Sequence, residues 1–191
     1  LEASASIKYN RQSFDEYGTH ESYGSKQLSA RIASRLDSGL WMALGVQHQD
    51  SAGHPMGYAN AVRGATGGAF AAPTTGTPVT GIRYDRDPQG RERAIFGATG
   101  SDHSLQDTVN LRMGYDISAT QEIEGRVSLW RSDSTVRNMT YLRDAAGKPL
   151  WSGVVNDGVN RFNVAANAFA PSQRDERHRQ LGATWKTKHA T

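Results

Sequence analysis

The sequence predicts an all-β chain folded as an antiparallel, up-and-down sheet, and three observations lead there. Apolar and polar residues alternate with period two in several segments. Gly, Ser, Thr, Asn and Asp collect between those segments, with 20 glycines against only 6 prolines. The connections between segments alternate between short and long. Successive side chains of a strand point to opposite faces, so period two is the signature of a half-buried strand.

The first segment sets Ala3, Ala5, Ile7 and Tyr9 against Ser4, Ser6 and Lys8. The second, Gln27 to Leu36, sets Leu28, Ala30, Ile32, Ser34 and Leu36 against Ser29, Arg31, Ala33 and Arg35. A turn at Asp37-Ser38-Gly39 leads into the third, where Leu40, Met42, Leu44 and Val46 oppose Trp41, Ala43, Gly45 and Gln47. The clearest is Thr108 to Asp116, with Val109, Leu111, Met113 and Tyr115 on one face and Asn110, Arg112, Gly114 and Asp116 on the other. After the turn Ser118-Ala119-Thr120-Gln121, Ile123, Gly125, Val127 and Leu129 oppose Glu124, Arg126, Ser128 and Trp130. The last sets Leu181, Ala183 and Trp185 against Gln180, Gly182, Thr184 and Lys186. Six strands are expected.

Two connections are tight turns, and three are long: Asn10 to Lys26, Asp50 to Gln106 and Ser132 to Asp175. Strict alternation sends every tight turn to one end of the sheet and every long loop to the other. Compact domains rarely contain such long connections, whereas outer-membrane barrels combine short periplasmic turns with long extracellular loops. The expected fold is therefore a transmembrane β-barrel segment with strands of about 9–11 residues. Hydrophobic residues make up 37% and the mean hydropathy is -0.63, so no apolar run approaches the ~20 residues of a membrane helix. Arg31, Arg35, Arg112, Glu124 and Arg126 on the polar face suit either open solvent or a wet lumen, since burying them in a dry core would be costly. Six strands do not close a membrane barrel, whose smallest members have about eight, and open edges in lipid are costly. A fragment of a larger barrel is expected.

The long loops carry hairpin signals of their own. Ile82-Arg83-Tyr84 and Ala94-Ile95-Phe96 flank Asp87-Pro88-Gln89-Gly90, and Tyr141-Leu142-Arg143 and Pro149-Leu150-Trp151 flank Ala145-Ala146-Gly147-Lys148. Asn156-Asp157-Gly158 marks a further turn, and Gly64 to Thr80, rich in Gly, Ala, Thr and Pro, reads as mobile.

Several chemistries find little footing. Without cysteine, disulfides, Cys-ligated zinc and thiol nucleophiles drop out. The charge of +3 is spread with no basic block, which argues against nucleic acid. The chain opens at Leu1 with no methionine and no signal peptide, as in a mature chain or a fragment. Asp102-His103-Ser104 holds triad residue types, but a triad assembles in space and not from sequence neighbours. The six histidines, His20, His48, His54, His103, His178 and His189, lack metal-ligand spacing, although His48 and His54 could converge in a loop. Asp85, Asp87 and Glu92 form an incomplete calcium ladder, and Asn138-Met139-Thr140 is a glycosylation sequon. No catalytic, metal or cofactor residue is assigned. Ligand contact in a barrel would come from loop aromatics and cations, with Tyr58, Tyr84, Tyr141, Trp151, Arg143 and Arg161 as candidates that also serve to hold loop hairpins together.

The stretch YGSKQLSARIASRLDSGLWMALGVQHQDSAGH, Tyr23 to His54, resembles the second and third barrel strands of TonB-dependent outer-membrane receptors. LQDTVNLRMGYDISATQEIEGRVSLWRSDS, Leu105 to Ser134, resembles the next hairpin with its Leu-x-x-x-Tyr-Asp-x-Ser ending, and TYLRDAAGKPLWSG, Thr140 to Gly153, is similar to an extracellular hairpin of iron-siderophore-type members. The resemblance implies a barrel of some 22 strands, plugged by an N-terminal domain, that takes up ferric siderophores, cobalamin or sugars with energy relayed by TonB. Residues 1–191 would be a partial barrel region without a plug domain. No TonB box is present, and the chain is not expected to transport alone.

The expected role is thus an outer-membrane receptor segment for TonB-dependent uptake of a scarce solute, a ferric siderophore foremost, with no reaction catalysed. Its partners would be that solute, outer-membrane lipid, and TonB through the missing plug region, with no nucleic acid. Two rivals stay open. A soluble β-sandwich or adhesin-like binding module gives the same alternation if the apolar face covers a core, and detergent-free monomeric solubility would mark it. A general porin segment would lack a plug upstream of Leu1. An enzyme reading would need activity lost on changing one buried carboxylate or histidine.

Overall fold

The computed structural model describes residues 1–65 and 70–187, and within them the chain is all-β with no helix. Six long strands form a meander in the order β1 (Glu2–Glu16), β2 (Thr19–Arg35), β3 (Leu40–Ala52), β7 (Glu92–Ser118), β8 (Gln121–Thr140) and β11 (Ser172–Thr187). Every pairing between them is antiparallel. Each expected strand falls within one of these six, save that β2 ends at Arg35, one residue before the expected Leu36. The sheet does not close: among the described residues, the outer edges of β1 and β11 have no partner strand.

The strands are longer than expected, at 13 to 27 residues. Backbone ladders need no side-chain alternation, so they continue past the point where the apolar pattern ends. The first expected loop, Asn10 to Lys26, is corrected by this. It is a hairpin whose pairing runs unbroken from Glu2↔Ala33 to Glu16↔Thr19, turning through Tyr17 and Gly18 alone. Both turn residues have positive φ, 50° and 85°. A two-residue hairpin of this kind requires that conformation at both positions, and Asn or Gly usually supplies it. Tyr17 is the single non-glycine residue with positive φ among the described residues.

The other two long connections fold onto the upper end of β7. β4 (Gly57–Val62) and β6 (Arg83–Arg86) pair with β7 at Arg93–Thr99 and Glu92–Ile95. β5 (Thr77–Pro78), β9 (Gly153–Asn156) and β10 (Arg161–Val164) form a separate small sheet in the order β10-β9-β5. The β5–β9 pairing is parallel and joins the two loops, as do the reciprocal backbone bonds of Thr80 and Arg143 at 2.9 and 3.0 Å. The expected hairpins around Asp87–Gly90 and Asn156–Gly158 are present. Asp87 and Asp157 cap their turns by accepting backbone N–H groups at 2.7–2.9 Å. The one around residues 145–148 is reduced to an isolated Arg143↔Pro149 bridge. The Gly64 to Thr80 stretch, expected to be mobile, is built into this cap from Phe70 onward, while residues 66–69 lie outside the described ones.

The cap owns the conventional hydrophobic core: Val79, Ala94, Phe96, Leu142, Val155, Phe162, Val164 and Phe169 are all buried. The meander below it is the reverse. Leu44, Val127 and Leu181 are 40%, 37% and 80% exposed, while Ser104, Glu124 and Ser132 on the opposite face are buried. Glu124 is held there by two bonds from Arg112, at 2.8 and 2.6 Å, and one from Lys186 at 3.1 Å. A buried carboxylate so compensated is tolerable; an orphaned one would not be. On the same polar face the Trp41 indole lies over Gly114, where any added methyl would collide with it.

Candidate functional site

Two surfaces stand out, the exposed apolar face of the meander and a cleft where its upper end meets the cap. The ladder registers place the apolar residues in rows across the strands. One row runs Ala3, Ile32, Leu44, Leu111, Val127, Leu181 through all six strands. Near the tight-turn end another runs Leu40, Tyr115, Ile123, Trp185, which sets two aromatic rings at that margin. Interfacial aromatics flank the hydrocarbon band of membrane barrels in this way.

The upper margin of the belt is oblique. Its last apolar residues are Tyr9 on β1, Leu28 on β2, Val46 on β3, Val109 on β7, Leu129 on β8 and Leu181 on β11. Above them on the same face come Lys26, His48, Asp107, Arg131 and Arg179, while Leu105 on β7 and Ala52 on β3 lie apolar beyond the line. From β1 to β11 the margin falls by three two-residue steps, about 20 Å, across a width of about 24 Å. That slope is ~40°, the tilt at which strands cross a membrane in closed barrels. A belt drawn level in space must drift along tilted strands.

The cleft has a volume of about 530 Å³. Tyr23 from β2, Asp102 and His103 from β7, Arg137 from β8, and Arg143 and Trp151 from the following loop all line it. Tyr23 donates to Glu21 at 2.8 Å; burial first, and then that bond, push its phenol up to about 12. Trp151 packs edge-on against Phe169, with centroids 5.6 Å apart, which holds the indole at the rim. Two guanidiniums and two aromatic rings converge on a concavity that also carries the Glu21 and Asp102 carboxylates, a mixed lining that can bind a planar polar small molecule.

Of the six loop aromatics and cations named as ligand candidates, Arg143 and Trp151 reach the cleft. Arg143 donates from Nη1 to the Thr140 and Leu142 carbonyls, both at 2.8 Å. Tyr58 donates to Glu16 at 2.9 Å, Tyr84 to Asp157, and Arg161 to Thr75 at 3.1 Å, so these three fasten loops. Tyr141 and Thr19 share a hydroxyl bond of 2.6 Å. Tyr23 and Arg137 were missed, because neither carries any local signal of a cleft that four chain segments assemble.

The triad residue types separate: His103 pairs with Asp50 at 2.7 Å. His48 pairs with Asp107 at 2.7 Å and His54 stacks on Phe14, so these two do not converge; His20 pairs with Asp15, His178 lies by Trp130, and His189 lies outside the described residues. The incomplete calcium ladder is three separate ion pairs, Asp85 with Arg93, Asp87 with Arg91 and Glu92 with Arg63. Among the described residues no group of three His, Asp or Glu side chains could hold a metal ion. Asn138 bonds Ala170 and Gly100.

Above the cleft the first hairpin is latched to the cap. Tyr17 donates to Asp85 at 2.5 Å, Arg93 bonds both partners, and the Tyr17 and Tyr58 rings meet edge-on at 4.7 Å. These contacts hold Tyr17 in its left-handed conformation, which costs a non-glycine residue roughly 1–3 kcal/mol. The Arg93 hydrogen bond dominates over burial and holds the Asp85 carboxyl below the usual range. A carboxyl whose folded pKa is depressed stabilises at neutral pH, and that stabilisation is lost as pH falls through the folded value. The hairpin tip is expected to release only at a pH below the ordinary Asp value of roughly 4. The protection factors of the Tyr17–Thr19 amides should fall on acidification in the native chain and already be lowered at pH 7 in Asp85→Asn.

No protein-family model, curated protein or solved structure matches this chain.

Proposed function

We propose that this chain is a segment of a bacterial outer-membrane β-barrel of the TonB-dependent receptor type, serving the uptake of a scarce solute, a ferric siderophore. The observation that carries the membrane part is the inverted meander. A chain that packs Phe162 and Leu142 into a dry cap core leaves Leu44, Met113 and Leu129 exposed a few turns away. In water such a belt far exceeds the few hundred Å² of apolar patch that monomers tolerate; against hydrocarbon it is the favourable arrangement. The oblique margin at ~40° supports a tilted barrel wall over a flat sandwich face. That tilt also argues against the soluble adhesin-like module.

The solute part rests on the resemblance to siderophore-type receptors together with the cleft under the cap, where Arg137, Tyr23 and Trp151 converge. Coupling to TonB would run through a plug region. In that arrangement the cap is extracellular and the Asp37–Gly39 and Ala119–Thr120 turns are periplasmic.

Titrating the folded chain in detergent micelles with a ferric hydroxamate and a ferric catecholate complex tests the solute part. Saturable binding of one of them is expected, weakened about tenfold by Arg137→Gln, the loss of one charged hydrogen bond. Binding of neither complex contradicts the siderophore assignment and leaves the membrane assignment standing.

A further inference from the structure

The apolar belt does not meet the same chemistry all along its upper margin. Between β3 and β7 the first charged groups close on each other, His48 with Asp107 and His103 with Asp50, each at 2.7 Å. Between β8 and β11 they do not. There Arg131 stands directly opposite Arg177 in the ladder, and Arg179, opposite Leu129, lies one row nearer the belt. All three project from the same face as Leu181, and all are exposed.

Like charges directly opposite on one sheet face destabilise it. Within the described residues Asp175 lies 3.3 Å from Arg177 and 3.7 Å from Arg131, and Asp107 stands opposite Arg131 on its other side, while Arg179 has no acidic partner within ion-pair distance. Asp133 stands opposite Asp175 one row farther up and bounds the cluster on that side. Ladder geometry puts Arg131 and Arg177 about 5 Å apart at Cβ and Arg177 and Arg179 about 7 Å apart. That spacing lets guanidiniums converge on one tetrahedral anion, which they bind in paired, parallel hydrogen bonds.

We propose that Arg131, Arg177 and Arg179 form a docking site for the phosphate of a lipid headgroup in the outer leaflet. The proposal rests on the membrane reading above: on a barrel wall these three groups sit at the level where hydrocarbon gives way to headgroups, directly above Leu129 and Leu181. A phosphate there neutralises the opposed arginines while the acyl chains of the same lipid cover the apolar rows below. A soluble phosphate matches the charges alone; a phospholipid or phosphorylated glycolipid matches both features.

The full chain is folded into vesicles of phosphatidylcholine alone and of phosphatidylcholine containing lipid A, and the bound fraction is measured by flotation for the native protein and for R131Q/R177Q/R179Q. Native protein is expected to prefer lipid A vesicles about 100-fold, since each arginine near an anionic surface contributes roughly fivefold. The triple variant should lose that preference while binding phosphatidylcholine as before, which also shows that it inserts. A preference that survives the triple substitution, or its absence in the native protein, overturns the proposal. So does its abolition by millimolar inorganic phosphate, which would make the site one for free anion. Native protein that floats with neither vesicle overturns the membrane reading instead.

Discussion

Replacing Leu111 with arginine is expected to reduce insertion of the chain into lipid vesicles by about two orders of magnitude. Leu111 lies in the row that crosses all six long strands, near the middle of the belt, with Leu44 and Val127 as its ladder partners. Arginine on the lipid face of a barrel costs about 2–4 kcal/mol at the bilayer midplane, and the neighbours offer no counter-ion. The substitution Asn110→Arg, one residue away on the polar face, is the matched control. Its neighbours are Gly45 and Ser128, and the aqueous lumen of the proposed barrel would accept the charge. Folding yields in vesicles, followed by protection of the inserted strands from protease, should separate the two variants. Equal yields would mean that both faces of β7 see the same medium.

Phe162→Ala is expected to unfold the cap and leave the meander intact. Phe162 is buried and meets Phe70 and Phe96 edge-on, with centroids 5.0 and 5.3 Å apart. Deleting a buried phenyl ring costs about 3–5 kcal/mol, a large share of what a small core can supply. The two long loops would separate, since apart from that core their backbones are joined by the two-pair β5–β9 pairing and the single bridges Thr80↔Arg143 and Ala71↔Arg161. Protease should then cut between residues 141 and 171, while β8 and β11 stay protected in lipid. The cleft would lose Arg143 and Trp151, and with them its ligand affinity. Cap and belt are thus expected to fail independently, because one is held by a dry core and the other by its solvent.

How far each part was legible in the sequence follows from what constrains it. In the proposed barrel wall every second residue of the belt has to suit hydrocarbon, and the period-two pattern of TVNLRMGYD announces its strand from sequence alone. Above the belt both faces meet water, and the requirement lapses. The run from Asn10 to Lys26 is polar on both sides, and its turn is made by Tyr17-Gly18, a pair held by side-chain docking onto Asp85 and Arg93 in place of the usual turn chemistry. It therefore read as a loop. The turns of the cap were legible because Asp87 and Asp157 cap them locally, whereas the pairing of Thr77 with Val155 depends on a core assembled from distant segments. The tilt of the belt was equally hidden, since it emerges only when the registers of all six strands are known. The same holds for the Arg131–Arg177 opposition.

The absence of cysteine makes one measurement direct. Single cysteines placed in turn at residues 108 to 115 of β7, each carrying an environment-sensitive fluorophore, can be read in vesicles whose acyl chains bear a quencher. Quenching is expected at 109, 111, 113 and 115 and not at 108, 110, 112 and 114, the latter instead responding to a water-soluble quencher. Uniform protection from both quenchers at the odd positions would place Val109, Leu111, Met113 and Tyr115 inside a protein core, and the outward-facing belt would be wrong.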